Sequence, residues 1–480
     1  MELLKRILVF YTFITLLFFG ILIKLEFATD TYAVFNFDKN AVFMQYAMSG
    51  RFITGLTLKI LKFINVPERL IYVFSYVLAV ICATISQSIS YKIIAKDVRK
   101  KSFSLLIPTL VLINPFSIEL FMFIEKGLMW FGVLMCIIAV KSVIDFFETK
   151  QKKYIIYATI WMFIANCSYQ GVVGIFVAIL LVYILKYSRN IKEFSINNVI
   201  VGSVYAIPAI IDYLIVKILF KSSRINGKIN IIETIKIILK NTFNMIVKTY
   251  DILPKYVFIL LILFTFTAFC SKIWKEKKKF LNIAKFLYIV FGVTFFAILP
   301  QIIQPTNSIW FVPRATYCFT SMYGVLVLFI AMNYDVEEFF KNLILIISFL
   351  LVFFQAQKFI QIENDRYILN KQDEQITMQI IEQINNYETQ TGNKIEKVSV
   401  YQDEKPNYTY EGIFATGDMN IKCYSADWST IEILKYYLKR DLKMAKKDKK
   451  IEQDFQKKNL DKFDTNQIIF KENTINICNY

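Results

Sequence analysis

The 480-residue chain contains no histidine. That absence removes every mechanism built on an imidazole base or an imidazole metal ligand, including serine–histidine and cysteine–histidine nucleophiles and HExxH zinc sites. Neither GxGxxG nor a Walker A sequence occurs, so no glycine-rich nucleotide-binding loop is expected. The seven cysteines show no spacing typical of a zinc site, a haem attachment or a CxxC redox pair. There is also no internal repeat of the kind that builds secondary transporters.

What the chain has in abundance is apolar surface. Hydrophobic residues make up 56% of it, aromatics 16%, and the mean hydropathy is +0.46, more than a soluble domain of this length needs. Crossing a bilayer core takes about 20 mostly apolar residues per helix. Eleven spans are predicted, at 7–23, 70–90, 103–123, 127–146, 154–170, 171–188, 199–220, 252–270, 281–301, 316–333 and 339–356. The first runs straight into Lys24 and Glu26 without a small-residue cleavage site, so it is expected to remain as a membrane helix.

Charge sets the orientation. Lys92, Lys96, Arg99, Lys100 and Lys101 stand against Asp97 in one loop, and Lys272, Lys275, Lys277, Lys278 and Lys279 against Glu276 in another. Both are expected in the cytoplasm, as are Lys5, Arg6 and the loops at 141–153 and 186–193. The acidic loop at 333–342 and the basic segment 217–251 strain this scheme. In the latter, Ile231, Ile232, Ile235, Ile238, Leu239, Phe243 and Ile246 follow helical spacing, as in a helix lying in the membrane interface. Its lysines either meet lipid phosphate or merely snorkel.

After residue 356 the composition turns polar, and the tail holds 19 basic and 20 acidic residues. The +18 net charge therefore belongs to the membrane part and is largely a topology signal, not a nucleic-acid-binding face. The tail reads as a small α/β domain: helices at 363–386 and 429–450, strands at 395–401, 421–424 and 468–471. An odd span count places it outside the cell membrane, where Cys423 and Cys478 would be free to form a disulfide.

The outward segments collect acids, amides, aromatics and arginines. The first holds Asp30, Tyr32 and Asp38, then Gly50-Arg51-Phe52. A carboxylate can take a proton from an acceptor hydroxyl and a guanidinium can hold a phosphate bidentately; the alternative is an ordinary interfacial loop. Asn114-Pro115-Phe116 breaks a helix ahead of Glu119 and Glu125-Lys126. Ser168-Tyr169-Gln170 makes a tight turn suited to a sugar or to an aromatic belt. Arg314 is an isolated arginine whose planar fork suits phosphate. Asp212, inside a span, either faces a polar cavity or pairs with Lys217.

Taken in order, Asp30 and Tyr32, Gly50-Arg51-Phe52, Asn114-Pro115-Phe116 with Glu119, and Ser168-Tyr169-Gln170 make residues 1–370 resemble the GtrII-type bacterial glucosyltransferases. That resemblance implies a polytopic membrane protein of GT-C-like architecture; hydropathy and composition set an all-α transmembrane domain over 1–356 and the polar tail, outside the resemblance, over 357–480. It implies inverting transfer of glucose or a related hexose from a polyprenyl-phosphate-linked donor to an extracytoplasmic surface glycan such as O-antigen, in the bacterial cytoplasmic membrane. By the same analogy Asp30 is the general base with Asp38 as its substitute, and Arg51 or Arg314 holds the donor phosphate. Tyr32, Glu119, Tyr169 and Gln170 belong to the substrate site. The family commonly pairs acids in the first loop, whereas here Thr31 follows Asp30. A divalent cation on Asp30 and Asp38 is left open. A lipid-linked oligosaccharide flippase or a glycan polymerase would share the many spans and the polar outer loops.

The topology is testable directly. A cysteine replacing Lys277, with the native cysteines removed, is expected to react with an impermeant maleimide only after the membrane is permeabilised; labelling in intact cells would overturn the orientation.

Overall fold

A computed structural model of the chain describes residues 6–7, 10–11, 14, 27–98, 101–220, 230–274, 276–302, 304–402, 422–457 and 465–479. The span expected at 7–23 lies almost wholly outside them. The chain divides into two compact units. The first comprises residues 1–19, 39–121 and 125–359, and the second 20–38, 122–124 and 360–480.

In the first unit, seven helices among the described residues are long and apolar enough to cross a membrane, or eight if a bent pair counts as one span. They are Glu68–Ile94, Lys126–Thr149, Gln170–Tyr187, Ile191–Phe220, Lys279–Ile302, Pro313–Asn333 and the start of Glu338–Thr391, with Ser102–Leu112 and Pro115–Phe121 as the bent pair. Helices also form at two further expected positions, Lys153–Ser168 and Val257–Ile273, with 16 and 17 residues, at the short limit for a crossing. Among the described residues, then, seven or eight full-length apolar helices stand where eleven spans were expected over the whole chain.

Packing separates these helices. In Lys126–Thr149 and Pro313–Asn333, 83% of the apolar window is buried, against 22% in Lys279–Ile302. A helix that is apolar all round and buried is an interior one, whereas one that shows Phe280, Leu281, Phe291 and Phe295 outward is dressed for lipid. The segment expected at the interface forms the helix Ile231–Lys248. Ile231, Ile235, Leu239 and Phe243 make an exposed stripe along it, while Thr234 and Met245 pack inward.

The bent pair turns by 57°. Pro115 cannot continue the helical hydrogen bonding, and Asn114 repairs the gap: its Oδ1 accepts from the Phe116 N–H at 3.0 Å and from the Thr320 hydroxyl at 2.7 Å.

The second unit is α/β. Its sheet has the order β2-β1-β4-β3, with β1 Lys397–Gln402, β2 Lys443–Met444, β3 Ile468–Lys471 and β4 Thr474–Asn479. β1 runs parallel to β2 and β4, and β3 closes the far edge as an antiparallel hairpin. The helix expected over 363–386 is the distal part of the 54-residue helix Glu338–Thr391. The one expected over 429–450 is two helices, Asp427–Leu438 and Lys449–Gln456, because Lys439 turns left-handed at φ 53° and releases the chain into β2. No strand forms at Cys423–Ser425, which is a 3₁₀ turn; Ile421 lies outside the described residues.

The helix Thr29–Asn36 belongs to this unit. Arg366 and Asn370 donate to the Phe27 carbonyl at 2.6 and 2.9 Å, and the Phe27 N–H returns a bond to Asn370 Oδ1 at 2.7 Å. The Asn36 amide donates to the Glu432 carbonyl at 2.7 Å. Cys423 and Cys478 lie in separate hydrophobic clusters and are not joined by a disulfide.

Ile477, fully buried in β4, gives a stability prediction. Ile477→Ala in the full chain is expected to weaken the sheet by about 2–5 kcal/mol, seen as faster amide exchange across β1 and β4.

Candidate active site

Within the first unit, segments far apart in sequence bring their polar side chains to one end of the helices. The 3₁₀ turn Pro115–Phe121 delivers Glu119, whose side chain has no exposed surface. Arg314, on the 3₁₀ turn Pro313–Phe319, meets it twice: the guanidinium lies 2.9 Å from Oε1, and the Arg314 backbone N–H donates to Oε2 at 2.6 Å. A carboxylate this buried needs both charge and hydrogen-bond compensation.

A second pair stands near it. Arg51 Nη1 is 3.7 Å from Glu125 Oε1, and the Tyr46 hydroxyl donates to Glu125 Oε2 at 3.2 Å. The Arg51 guanidinium also lies over the Tyr169 ring at 4.4 Å, a cation–π contact. Tyr169 is buried and within electrostatic range of Arg51, Arg314, Glu119 and Glu125 together. It is the hub of the site. Gly171 makes the close approach possible, since a Cβ there would come within 2.5 Å of the Arg314 carbonyl oxygen.

A third connection runs through Gln170. Its side-chain nitrogen donates to the Ser49 carbonyl at 2.8 Å and to Asp212 Oδ2 at 3.1 Å. Asp212 therefore does not pair with Lys217, which is exposed beside the Tyr213 ring.

Of the residues proposed from sequence, Arg51, Glu119, Tyr169, Gln170 and Arg314 are thus brought together. Asp30, Asp38 and Tyr32 lie in the second unit. Asp30 occupies the first turn of Thr29–Asn36, a favourable place for a carboxylate, while Asp38 is exposed beyond its end. An eight-residue helix is about 12 Å long, so the two acids stand at opposite ends and do not form a shared cation site. Among the described residues no cluster of three or more acids or cysteines could hold a metal. Thr31, standing where the second acid of a pair would be, is buried and used locally: its hydroxyl accepts from the Ala28 N–H at 3.0 Å. Tyr32 is a core residue, its ring 5.3 Å from that of Tyr436, and burial pushes its phenol well above the ordinary range.

Sequence alone missed Tyr46 and Tyr250. Tyr250 follows the helix Ile231–Lys248 in a turn where Thr249, Tyr250 and Asp251 all adopt positive φ, and its ring sits 5.5 Å from Phe116. Nothing in the local sequence marks that left-handed turn.

Comparison with known families settles the grouping. A family model described as glucosyl transferase GtrII matches residues 18–331. The chain belongs to the GtrII glucosyl transferase family. No curated protein matches it. For a GtrII protein, glucosyl transfer is the implied activity, and the apolar helices fit a membrane enzyme. The matched region carries every residue of the arginine–tyrosine cluster just described.

The Glu119–Arg314 pair makes a prediction for this GtrII protein. Arg314→Ala strands a buried carboxylate and is expected to cost about 3–5 kcal/mol, read as a lower unfolding temperature in lipid nanodiscs. An Arg314→Ala variant as stable as the parent would show that the pair is not formed.

Proposed function

We propose that the chain transfers glucose or a related hexose, with inversion, from a polyprenyl-phosphate-linked donor to an extracytoplasmic glycan such as O-antigen. The observation that carries this reading is the pair of arginines flanking Tyr169, one balanced by Glu125 and the other by Glu119. Such a constellation suits a phosphate at the membrane surface: the cations are fixed in advance and the aromatic ring bars water from one side.

A lipid-linked donor also needs room for its chain. Between the Ile231–Lys248 and Lys279–Ile302 helices lies a cavity of about 350 Å³ lined by Ile231, Thr234, Ile235, Ile238, Leu239 and Ile302. We assign it to the isoprenoid tail. The amphipathic helix beside it ends at Lys248, and Tyr250 in the turn that follows stands within electrostatic range of Glu119.

In the reaction proposed, an acceptor hydroxyl oxygen attacks the anomeric carbon and forms the new glycosidic bond. The bond from that carbon to the phosphate oxygen breaks, and polyprenyl phosphate leaves with the electron pair. The hydroxyl proton passes to a carboxylate base, a role for which the family resemblance offers Asp30. Compensation of the phosphate charge by Arg51 or Arg314 makes it an adequate leaving group without an imidazole acid, consistent with a chain that lacks histidine.

Purified protein in lipid, given polyprenyl-phosphate-glucose and a surface glycan, is expected to form a glucosylated product. Asp30→Asn, normally inserted, should lose transfer by about 10²–10⁴-fold. Full activity in that variant would remove Asp30 as the base.

A further inference from the structure

Asp212 has no role in the reaction as drawn, yet it is the costliest side chain in its helix. It stands 22 residues into Ile191–Phe220, only 6% exposed, in an otherwise apolar stretch. A carboxylate in such a place ordinarily earns its position through function. No cation meets it among the described residues. Its Oδ2 accepts one hydrogen bond from Gln170, and its Oδ1 is buried without a hydrogen-bond partner. About one turn further on, after Ile215, the helix changes from α to π geometry over Val216–Phe220, a local feature often found at functional sites.

What Asp212 touches is the turn that carries Arg51. Gln170 bridges the carboxylate to the Ser49 carbonyl. Gly50 sits directly against both: with φ at +77°, a Cβ on it would lie 2.5 Å from Asp212 Oδ2 and 2.6 Å from Gln170 Nε2. Glycine is needed there twice over, for the left-handed backbone and for the contact. The next residue is Arg51, whose guanidinium lies over Tyr169, the residue before Gln170. The same amide therefore ties together the two short segments, 49–51 and 169–170, whose side chains make the cation–π contact.

The geometry points to Asp212 as a positioning residue: through Gln170 it locks the Ser49–Gly50–Arg51 turn so that Arg51 is presented to the donor phosphate. A negative acceptor holds the Gln170 amide more firmly than a neutral one, and that amide has no freedom to rotate while it serves Ser49 and Asp212 at once. Rigid support of this kind separates a fixed phosphate-binding arginine from one that must be ordered on binding. This inference rests on the transfer reading for its kinetic consequence, but the lock itself is a property of the free protein.

Three variants of the full chain in nanodiscs test it. Asp212→Leu removes the acceptor. Gly50→Ala leaves Asp212 in place and forces the turn away from it. Asp212→Asn keeps an oxygen for the Gln170 amide while removing the charge. With polyprenyl-phosphate-glucose as the varied substrate, the first two are expected to raise the donor KM about tenfold or more, with a smaller change in kcat and none in the KM for the glycan. Asp212→Asn should recover most of the donor affinity. Amide exchange over residues 46–52 should accelerate in Asp212→Leu and Gly50→Ala and stay near the parent rate in Asp212→Asn. Unchanged exchange and unchanged donor KM in the first two would overturn the lock, as would loss of kcat in Asp212→Asn at normal donor KM, which would mark a proton acceptor instead. If the parent transfers no glucose, the transfer reading fails, and the exchange measurement still decides the lock.

Discussion

A fully buried carboxylate must be neutralised where it stands, and in the helical unit that constraint falls on Glu119 and Arg314. Both reach the pair on backbone that has left the α-helix, Glu119 after the break at Pro115 and Arg314 at the start of a 3₁₀ turn opened by Pro313. Irregular backbone at membrane depth is tolerated only where protein satisfies its polar groups. Here each break serves the other. The Tyr317 hydroxyl donates to the Leu112 carbonyl at 2.6 Å, and the Asn114 amide donates to the Tyr317 carbonyl at 3.3 Å. The Gln355 amide covers the Ile113 carbonyl at 2.6 Å. The ion pair and the paired breaks are one construction, and the Tyr169 hub is built against it.

Two groups of polar residues stand apart in the helical unit. Segments carrying Ser49–Arg51, Glu119–Glu125, Tyr169–Gln170, Asp212 and Arg314 converge on the candidate site. Lysine-rich loops converge elsewhere: Lys186 pairs with Asp97, Lys96 lies 4.0 Å from Glu148, and the Tyr187 hydroxyl donates to Glu148 at 3.0 Å. Apart from Asp212, which was expected inside a span, these are residues that loop charge placed in expected outward and cytoplasmic segments. Lysine alone suits a face whose task is orientation, and arginine with glutamate, glutamine and tyrosine suits one that must hold a ligand.

Much of this was legible in the sequence because it depended on short-range chemistry. Pro115 announced the bend, hydrophobic periodicity announced the helix Ile231–Lys248, and the Ser168-Tyr169-Gln170 turn falls as expected. Partnerships were harder, since they depend on which helices are neighbours. Sequence spacing offered Lys217 to Asp212, whereas the fold offers Gln170 from 42 residues away. Tyr32 looked like a loop residue beside an acid, yet tertiary packing made it core. The tail was misread where a single left-handed residue, Lys439, outweighed the helical propensity on both sides. The family match is confined to residues 18–331, so it says nothing of the sheet.

The second unit has one property that bears on how such chains diverge. Its core is not contiguous: Tyr32 packs in the same cluster as Ile380, Ile433 and Ile477, although hundreds of residues separate it from them. The helix bearing Asp30 is therefore inherited with the C-terminal sheet as one piece, interrupted by most of the membrane region. A recombination junction placed anywhere between residues 38 and 360 would divide that piece between two parents. Chimeras that exchange the tail alone would join an unmatched Thr29–Asn36 helix to Arg366, Asn370 and Glu432, and only exchanges that carry both ends would keep the contacts native.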